Sequence, residues 1–232
     1  MVKPTCVVMG VGPGNGAAFA RKFNHEGYQV ALLARSQSYL DKLKAELKDA
    51  KSYACDVTKP DQISDVFSRI QSEMGPIETL IYNAGSGHSC TIENLDIYEF
   101  ESDWKINSLG CAFSSQLVAS EMMKRSQGNI IIVGATASLR GGANFTSFAS
   151  AKAAQHSLAQ SMARHLWPKG VHVAYLIIDG PVGESHALDG SVRDGQAFLK
   201  PSDIAESAYF LTTQAKSAWT FELDLRPHVE KW

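Results

Sequence analysis

Glycines recur in Gly10-Val11-Gly12-Pro13-Gly14-Asn15-Gly16, directly after the apolar run Thr5–Met9 and directly before the helical stretch Ala17–Phe23. Residues without a Cβ let a backbone turn tightly and approach a pyrophosphate, which the N-terminus of the following helix then stabilises. A tight strand–helix connection also needs glycine for its own sake, so the strand before and the helix after carry the dinucleotide reading. The next apolar run bears on which dinucleotide. A carboxylate at its end would pair with ribose hydroxyls. Here the run ends Leu32-Leu33-Ala34-Arg35-Ser36, with Ala34 in the place of that acid. The guanidinium fork of Arg35, beside Ser36, suits a 2′-phosphate. The pattern predicts NADP(H) rather than NAD(H).

The elements that must position these residues show in the apolar periodicity. Short β-rich runs at Thr5–Met9, Gln29–Leu33, Ser52–Cys55, Thr79–Tyr82, Ile130–Val133, His172–Ile178 and Trp219–Leu225 alternate with amphipathic stretches such as Tyr39–Leu47, Gln62–Met74, Glu99–Lys124 and Phe148–Trp167. Continuous apolar runs predict strands buried on both faces, and strand–helix alternation predicts parallel βαβ units. Right-handed crossovers then give an α/β fold, a doubly wound (Rossmann-type) seven-stranded parallel sheet flanked by helices. No repeat or linker divides the 232 residues, so the expectation is one domain over 1–232, with a cofactor half over about 1–133 and a catalytic half over about 134–232. Ligands in such sheets bind beyond the carboxyl ends of the strands.

Composition narrows the function class. Lys+Arg total 22 against 24 Asp+Glu, a formal charge of −2, which offers no general attraction to nucleic acid or anionic membrane. No apolar run approaches a membrane span, and glycines interrupt the first run too soon for a signal-peptide core. Cys6, Cys55, Cys90 and Cys111 lack metal-ligand spacing and read as small buried hydrophobes in a reducing compartment. The expectation is a cytoplasmic protein with no structural metal.

From about Thr5 to Leu225 the chain resembles the short-chain dehydrogenase/reductase family. Gly10-x-x-x-Gly14-x-Gly16 has that family's spacing, Asp56-Val57 follows the third strand where the family's Asp contacts adenine, and Asn83-Ala84-Gly85 is similar to its NAG motif. Asn107 matches the Asn that holds a proton-relay water. Lys152, in Ser150-Ala151-Lys152-Ala153-Ala154, resembles the Lys of YxxxK, which holds the ribose and lowers the pKa of the Tyr. After the sixth strand the resemblance puts Gly180 and Val182 at the nicotinamide.

Departures from the pattern are concentrated at the chemistry. Phe148 occupies the tyrosine position, and phenylalanine has no proton to give. The positions expected for the family's Ser hold Ala135 and Thr136, with Ser138 further on. Thr136 is therefore the candidate to polarise a carbonyl, with Asn107 and Lys152 as the other catalytic candidates. The Pro of Pro-Gly has become Asp179, either an acid near the nicotinamide pocket or a solvated turn residue. Ser185 stands near the place of the family's Thr, and the Ser185–Phe198 segment reads as a mobile lid. His88 and His186 are loop histidines, either solvated or proton donors. Tyr82 reads as core, and Ser150 as a weak substitute for the lost hydroxyl.

The helices of Glu99–Lys124 and Phe148–Trp167 resemble those by which family members pair, and the last strand would be an apolar sheet edge. A homodimer or homotetramer is expected. Two functions follow. One is an NADP(H)-dependent oxidoreductase that reduces an activated carbonyl or enone with a non-standard proton donor. The other is a catalytically impaired NADP(H)-binding regulatory, sensor or scaffold protein on the same fold.

Overall fold

The computed structural model describes residues 3–183 and 198–229. Its strands are β1 (Thr5–Met9), β2 (Gln29–Ala34), β3 (Ala50–Ala54), β4 (Ile77–Tyr82), β5 (Asn129–Val133), β6 (His172–Ile178) and β7 (Glu222–Leu225). They form one seven-stranded sheet in the order β3-β2-β1-β4-β5-β6-β7, parallel throughout. The helices are α1 (Asn15–His25), α2 (Gln37–Glu46), α3 (Pro60–Met74), α4 (Ile97–Trp104), α5 (Gly110–Arg125), α6 (Thr146–Leu166) and α7 (Pro201–Thr212).

Alternation along the strands assigns each helix to a face. In β1, Cys6 and Val8 point to one side and pack with Phe19 and Phe23 of α1, Leu40 and Leu43 of α2, and Ile204 and Leu211 of α7. Val7 and Met9 point to the other side, towards Ile63 and Phe67 of α3, Val118 and Met122 of α5, and Ala159 and Leu166 of α6. Both faces of β1 are thus buried, as a two-sided core requires. Proline starts α3 and α7, where its missing N–H costs nothing. No helix among the described residues is long and apolar enough to cross a membrane.

Several elements differ in their bounds from the sequence expectation, and the fourth strand, like the third, starts two residues early, at Ile77. The amphipathic stretch Glu99–Lys124 is interrupted by a π-helical turn, Lys105–Leu109, between α4 and α5. Hydrophobic period alone does not separate an α turn from a π turn. The last strand begins at Glu222, because Lys216–Ala218 forms a 3-10 turn and Trp219 packs flat on the His172 ring, 4.7 Å between centroids. The third strand starts two residues early, at Ala50, where its residues are only partly covered at the sheet's edge.

Strand order reverses between β2 and β4, on the two sides of β1, and there the turns after β1 and β4 meet. Asn83 Nδ2 donates to the Gly10 carbonyl at 2.8 Å, and the Asn83 N–H donates to Met9 at 3.0 Å. Gly10 has φ +84°, and a Cβ on it would lie 2.4 Å from the Ala84 nitrogen; a Cβ on Gly16 would lie 2.5 Å from the Gly10 carbonyl. By contrast, nothing lies within 4 Å of a Cβ built on Gly12 or Gly14. Gly10→Ala combines overpacking with a left-handed φ and should cost about 3 kcal/mol. Gly14→Ala should stay within about 0.5 kcal/mol of the parent. Urea denaturation midpoints check both, and equal costs would refute this division of the glycines.

Candidate active site

Beyond the carboxyl ends of β1, β4, β5 and β6 lies a cavity of about 640 Å³. The turn and helix start after β1 give it Asn15, whose buried Oδ1 has no hydrogen-bond partner. Asn83, Gly85, Ser86 and Gly87 come from the loop after β4; Gly134, Ala135 and Thr136 from the loop after β5; Phe145, Phe148 and Lys152 from α6 and its approach; Asp179, Gly180 and Val182 from the loop after β6. These are the strand ends where the sequence pattern predicts a ligand. The open faces of Gly12 and Gly14, at the start of α1, fit a dinucleotide phosphate group, which backbone N–H groups there can approach.

Lys152 is buried at 5% exposure, and its Nζ donates to the Val133 carbonyl at 3.0 Å and to Gln155 Oε1 at 3.1 Å. Burial pushes the ammonium down to about 8, against the opposing influence of the Cys111 thiol. Asn107 sits in the π turn and is fully buried. Its Nδ2 donates to the carbonyls of Ser86 (2.8 Å) and Asp103 (2.9 Å), while its Oδ1 has no partner. A Cβ on Gly85 would meet Asn107 Oδ1 at 3.3 Å and Lys152 Nζ at 3.6 Å, so the bare glycine opens a notch in front of both groups.

Phe148 lies over the loop after β4, and a Cβ on Gly87 would come within 2.5 Å of its ring. Phe145 packs edge-on against it at 6.4 Å, so the tyrosine position is part of an apolar wall. Thr136 lines the cavity with its hydroxyl 3.5 Å from the Ile178 carbonyl. Ser138 turns away and donates to Ala135 at 2.6 Å, and Ser150 donates to Ser147 on the exposed side of α6. Asp179, left open between acid and solvated turn residue, lines the cavity as an ion pair, its Oδ2 3.1 Å from Arg226 Nη1 and 3.9 Å from Arg140 Nη2. Tyr82 is core: it is fully buried and its hydroxyl donates to the Ile106 carbonyl.

At the adenine end, Asp56 Oδ1 accepts from the Thr58 N–H and hydroxyl at 2.9 and 2.8 Å. Burial raises this carboxyl, and the Thr58 bonds with the charges of Arg35 and Lys59 bring it below its usual range. Val57 follows, half-buried, with its carbonyl where a Cβ on Gly110 would touch it. Arg35 is exposed beyond β2 and, among the described residues, makes no hydrogen bond or ion pair. Ser36 caps α2 with an extended backbone. Gly180 has φ +137°, and Val182 pairs with Leu199 in an isolated parallel bridge. Ser185, His186 and the lid expected over Ser185–Phe198 lie, except for Phe198, outside the described residues.

Sequence reasoning missed two residues. Gln155, fully buried, bonds both Lys152 and the main chain of Asn107. Asp103, also fully buried, accepts from Ser86 Oγ (2.7 Å), Ser147 Oγ (2.6 Å), the His88 N–H (3.0 Å) and His88 Nδ1 (3.0 Å). Burial raises the Asp103 carboxyl, but the Ser147, Ser86 and His88 bonds outweigh it and hold the group below its ordinary value. An acceptor-only carboxylate makes His88 Nδ1 the protonated nitrogen. A polar residue inside an otherwise helical stretch was the available signal for both.

A family model described as short chain dehydrogenase matches residues 4–183. An uncharacterized oxidoreductase of Staphylococcus aureus (strain MRSA252) is 27% identical over 223 residues, covering 95% of this chain and 96% of that protein. The crystal structure of a short-chain dehydrogenase from Rhodopseudomonas palustris superposes with a TM-score of 0.85 at 34% identity, over 97% of this chain and 99% of the other. A metagenomic short-chain oxidoreductase in complex with NADP gives a TM-score of 0.82 at 25% identity, over 99% of each chain.

Asp103→Asn would set an amide N–H₂ against groups that already donate, at a cost of about 3 kcal/mol near pH 7. Because the folded carboxyl lies below its unfolded value, its contribution is present above about pH 4 and lost as pH falls through the folded pKa. Thermal melts of parent and variant should therefore differ at pH 7 and converge at acid pH; a gap independent of pH would refute the assignment.

Proposed function

We propose that this chain, which belongs to the short-chain dehydrogenase family, is an NADP(H)-dependent oxidoreductase that reduces an activated carbonyl or a conjugated enone. The observation that carries the reading is the buried Lys152 ammonium facing the notch over Gly85, in a cavity that Asn15 at the start of α1 also lines. Residues of about 1–133 serve the cofactor and those of about 134–232 the substrate. Gly10, Gly14, Asn15 and Gly16 hold the pyrophosphate; Arg35 and Ser36 take the 2′-phosphate; Asp56 and Val57 flank the adenine. Asn83, Ala84, Gly85, Gly180 and Val182 frame the nicotinamide, and Lys152 holds its ribose. NADP in the 25%-identical relative and the absence of an acid at Ala34 support the phosphate-bearing cofactor.

The bound nicotinamide supplies hydride. The chain's part is to orient the acceptor against it, with the Phe145–Phe148 pair as an apolar wall. Thr136 donates a hydrogen bond to the carbonyl oxygen. Asp179 is engaged with Arg226, and the proton comes from solvent after charge has developed on oxygen. That order suits an acceptor already activated towards hydride. The protein works in the cytoplasm as a homodimer or homotetramer, paired through the α4 face that exposes Ile97, Tyr98 and Trp104. Phe148 favours a second reading, a nucleotide-binding sensor or scaffold without turnover.

NADPH oxidation against aldehydes, diketones, quinones and enones tests the reading. Turnover should prefer NADPH and fall about 100-fold or more in Lys152→Ala. Gly14→Ala and Arg35→Ser should each weaken NADPH binding about tenfold, and Arg35→Ser should leave NADH unaffected. Tight NADPH binding without turnover would select the sensor, and no binding would sink both readings. Phe148→Tyr restores a general acid, a group typically worth about 10²–10⁴-fold, and should raise turnover of unactivated ketones.

A further inference from the structure

The main chain of the π turn and the long helix α6 meet behind Lys152, and one side chain joins them. Gln155 Oε1 accepts from Lys152 Nζ at 3.1 Å, and Gln155 Nε2 donates to the Asn107 carbonyl at 2.9 Å. Tyr175 of β6 donates to the same Oε1 at 3.3 Å, so the amide is held from a third element. A fully buried glutamine with both ends bonded is fixed in orientation, since flipping it would set donor against donor and acceptor against acceptor. An ammonium has three N–H groups. Val133 and Gln155 take two, leaving the third for the notch over Gly85, 3.6 Å from Nζ.

We propose that Gln155 is a positioning residue for Lys152: its amide ties the ammonium to the Asn107 main chain and aims the remaining N–H into the notch over Gly85. An amide neither takes up nor releases a proton near neutral pH, so this bridge fixes Lys152 without offering a proton route behind it. The unpartnered Oδ1 of Asn107 faces the same notch, which therefore presents one donor and one acceptor side by side. A hydroxyl group satisfies both at once. The assignment of that hydroxyl to the cofactor ribose rests on the function proposed above; the bridge itself does not.

The bridge also bears on the charge of the lysine, since it places an acceptor oxygen 3.1 Å from the ammonium. The titratable groups facing it are the Cys111 thiol of α5, pushed up to about 12 by burial, and the Tyr175 hydroxyl, raised further still; both are neutral. Asp179, the cavity's carboxylate, is paired with Arg226. The acceptor oxygens of Val133 and Gln155 are the hydrogen-bond partners that the buried ammonium meets among the described residues.

Two near-isosteric substitutions should move Lys152 in opposite directions. In ¹³C-lysine-labelled protein, with Lys152→Met to assign the signal, the ε-carbon should titrate near pH 8 in the parent. It should fall by about one pH unit in Gln155→Leu and rise by about one in Gln155→Glu. At pH 7.5, Gln155→Leu should weaken NADPH binding about tenfold, while Gln155→Glu, which keeps the acceptor for Lys152 but sets a carboxylate oxygen against the Asn107 carbonyl, should lose only about threefold. An unmoved titration, movement in the same direction, or equal loss of NADPH affinity overturns the proposal. If Gln155→Leu fails to fold, Gln155→Glu alone decides by rising or not. A parent that does not bind NADPH defeats the cofactor reading, and the lysine titration then decides the role of Gln155 by itself.

Discussion

The contact between the turn after β1 and the turn after β4 is the constraint on which the rest of the molecule depends. A parallel sheet that reverses its order must let two loops part at the reversal, and the parting makes a crevice. Here the loops part only beyond the point where Gly10 lies against Ala84 and Asn83 bonds the Gly10 carbonyl. Any side chain at Gly10 would push them apart at the base. Packed together, they put Asn15, at the start of α1, and Gly85, after β4, into one cavity. The two helical layers follow from the strands' alternation; the cavity follows from these two glycine-lined turns.

Polar knots hold the walls of that cavity, and each joins elements distant in sequence. Asp103 gathers Ser86, His88 and Ser147, fastening the loop after β4 to α4 and to the start of α6. Gln155 fastens α6 to the π turn. In both knots nearly every donor meets an acceptor, which is what allows polar groups to be buried without large cost. Asn107 Oδ1, beside these knots, has no partner, and it faces the notch. A buried orphan acceptor beside a cavity is a place where the protein is incomplete without a ligand or water.

How far the sequence reveals all this depends on what kind of interaction is involved. The strands showed because burial on both faces leaves runs such as Leu80-Ile81-Tyr82 and Ile130-Ile131-Ile132 with no polar interruption. Glycine turns showed because close backbone approach admits no other residue. Lys152 and Asn107 showed through spacing shared with a family. Gln155 and Asp103 stayed hidden because their partners lie far away in sequence: Gln155 meets Asn107 across 48 positions and Ser147 meets Asp103 across 44. The π turn stayed hidden because its apolar spacing is nearly that of the α-helix around it. Asp179 was visible as a carboxylate, but its state is set by Arg226, which only the folded chain brings beside it.

Phe148 then has a physical consequence for the whole site. With the tyrosine position apolar and Asp179 paired with Arg226, Lys152 is the unpaired charge among the described residues lining the cavity, and it is positive. A buried cation attracts electron-rich groups and stabilises negative charge developing nearby, more strongly where water is excluded. It does this without surrendering a proton. A site of this kind favours acceptors whose own structure spreads the negative charge left by hydride addition, as a conjugated enone or a diketone does. A simple ketone concentrates that charge on one oxygen and needs an acid beside it. Under the reduction proposed above, an apolar residue at position 148 narrows the acceptors rather than ending the chemistry, and Lys152 behind the notch sets the direction of that narrowing.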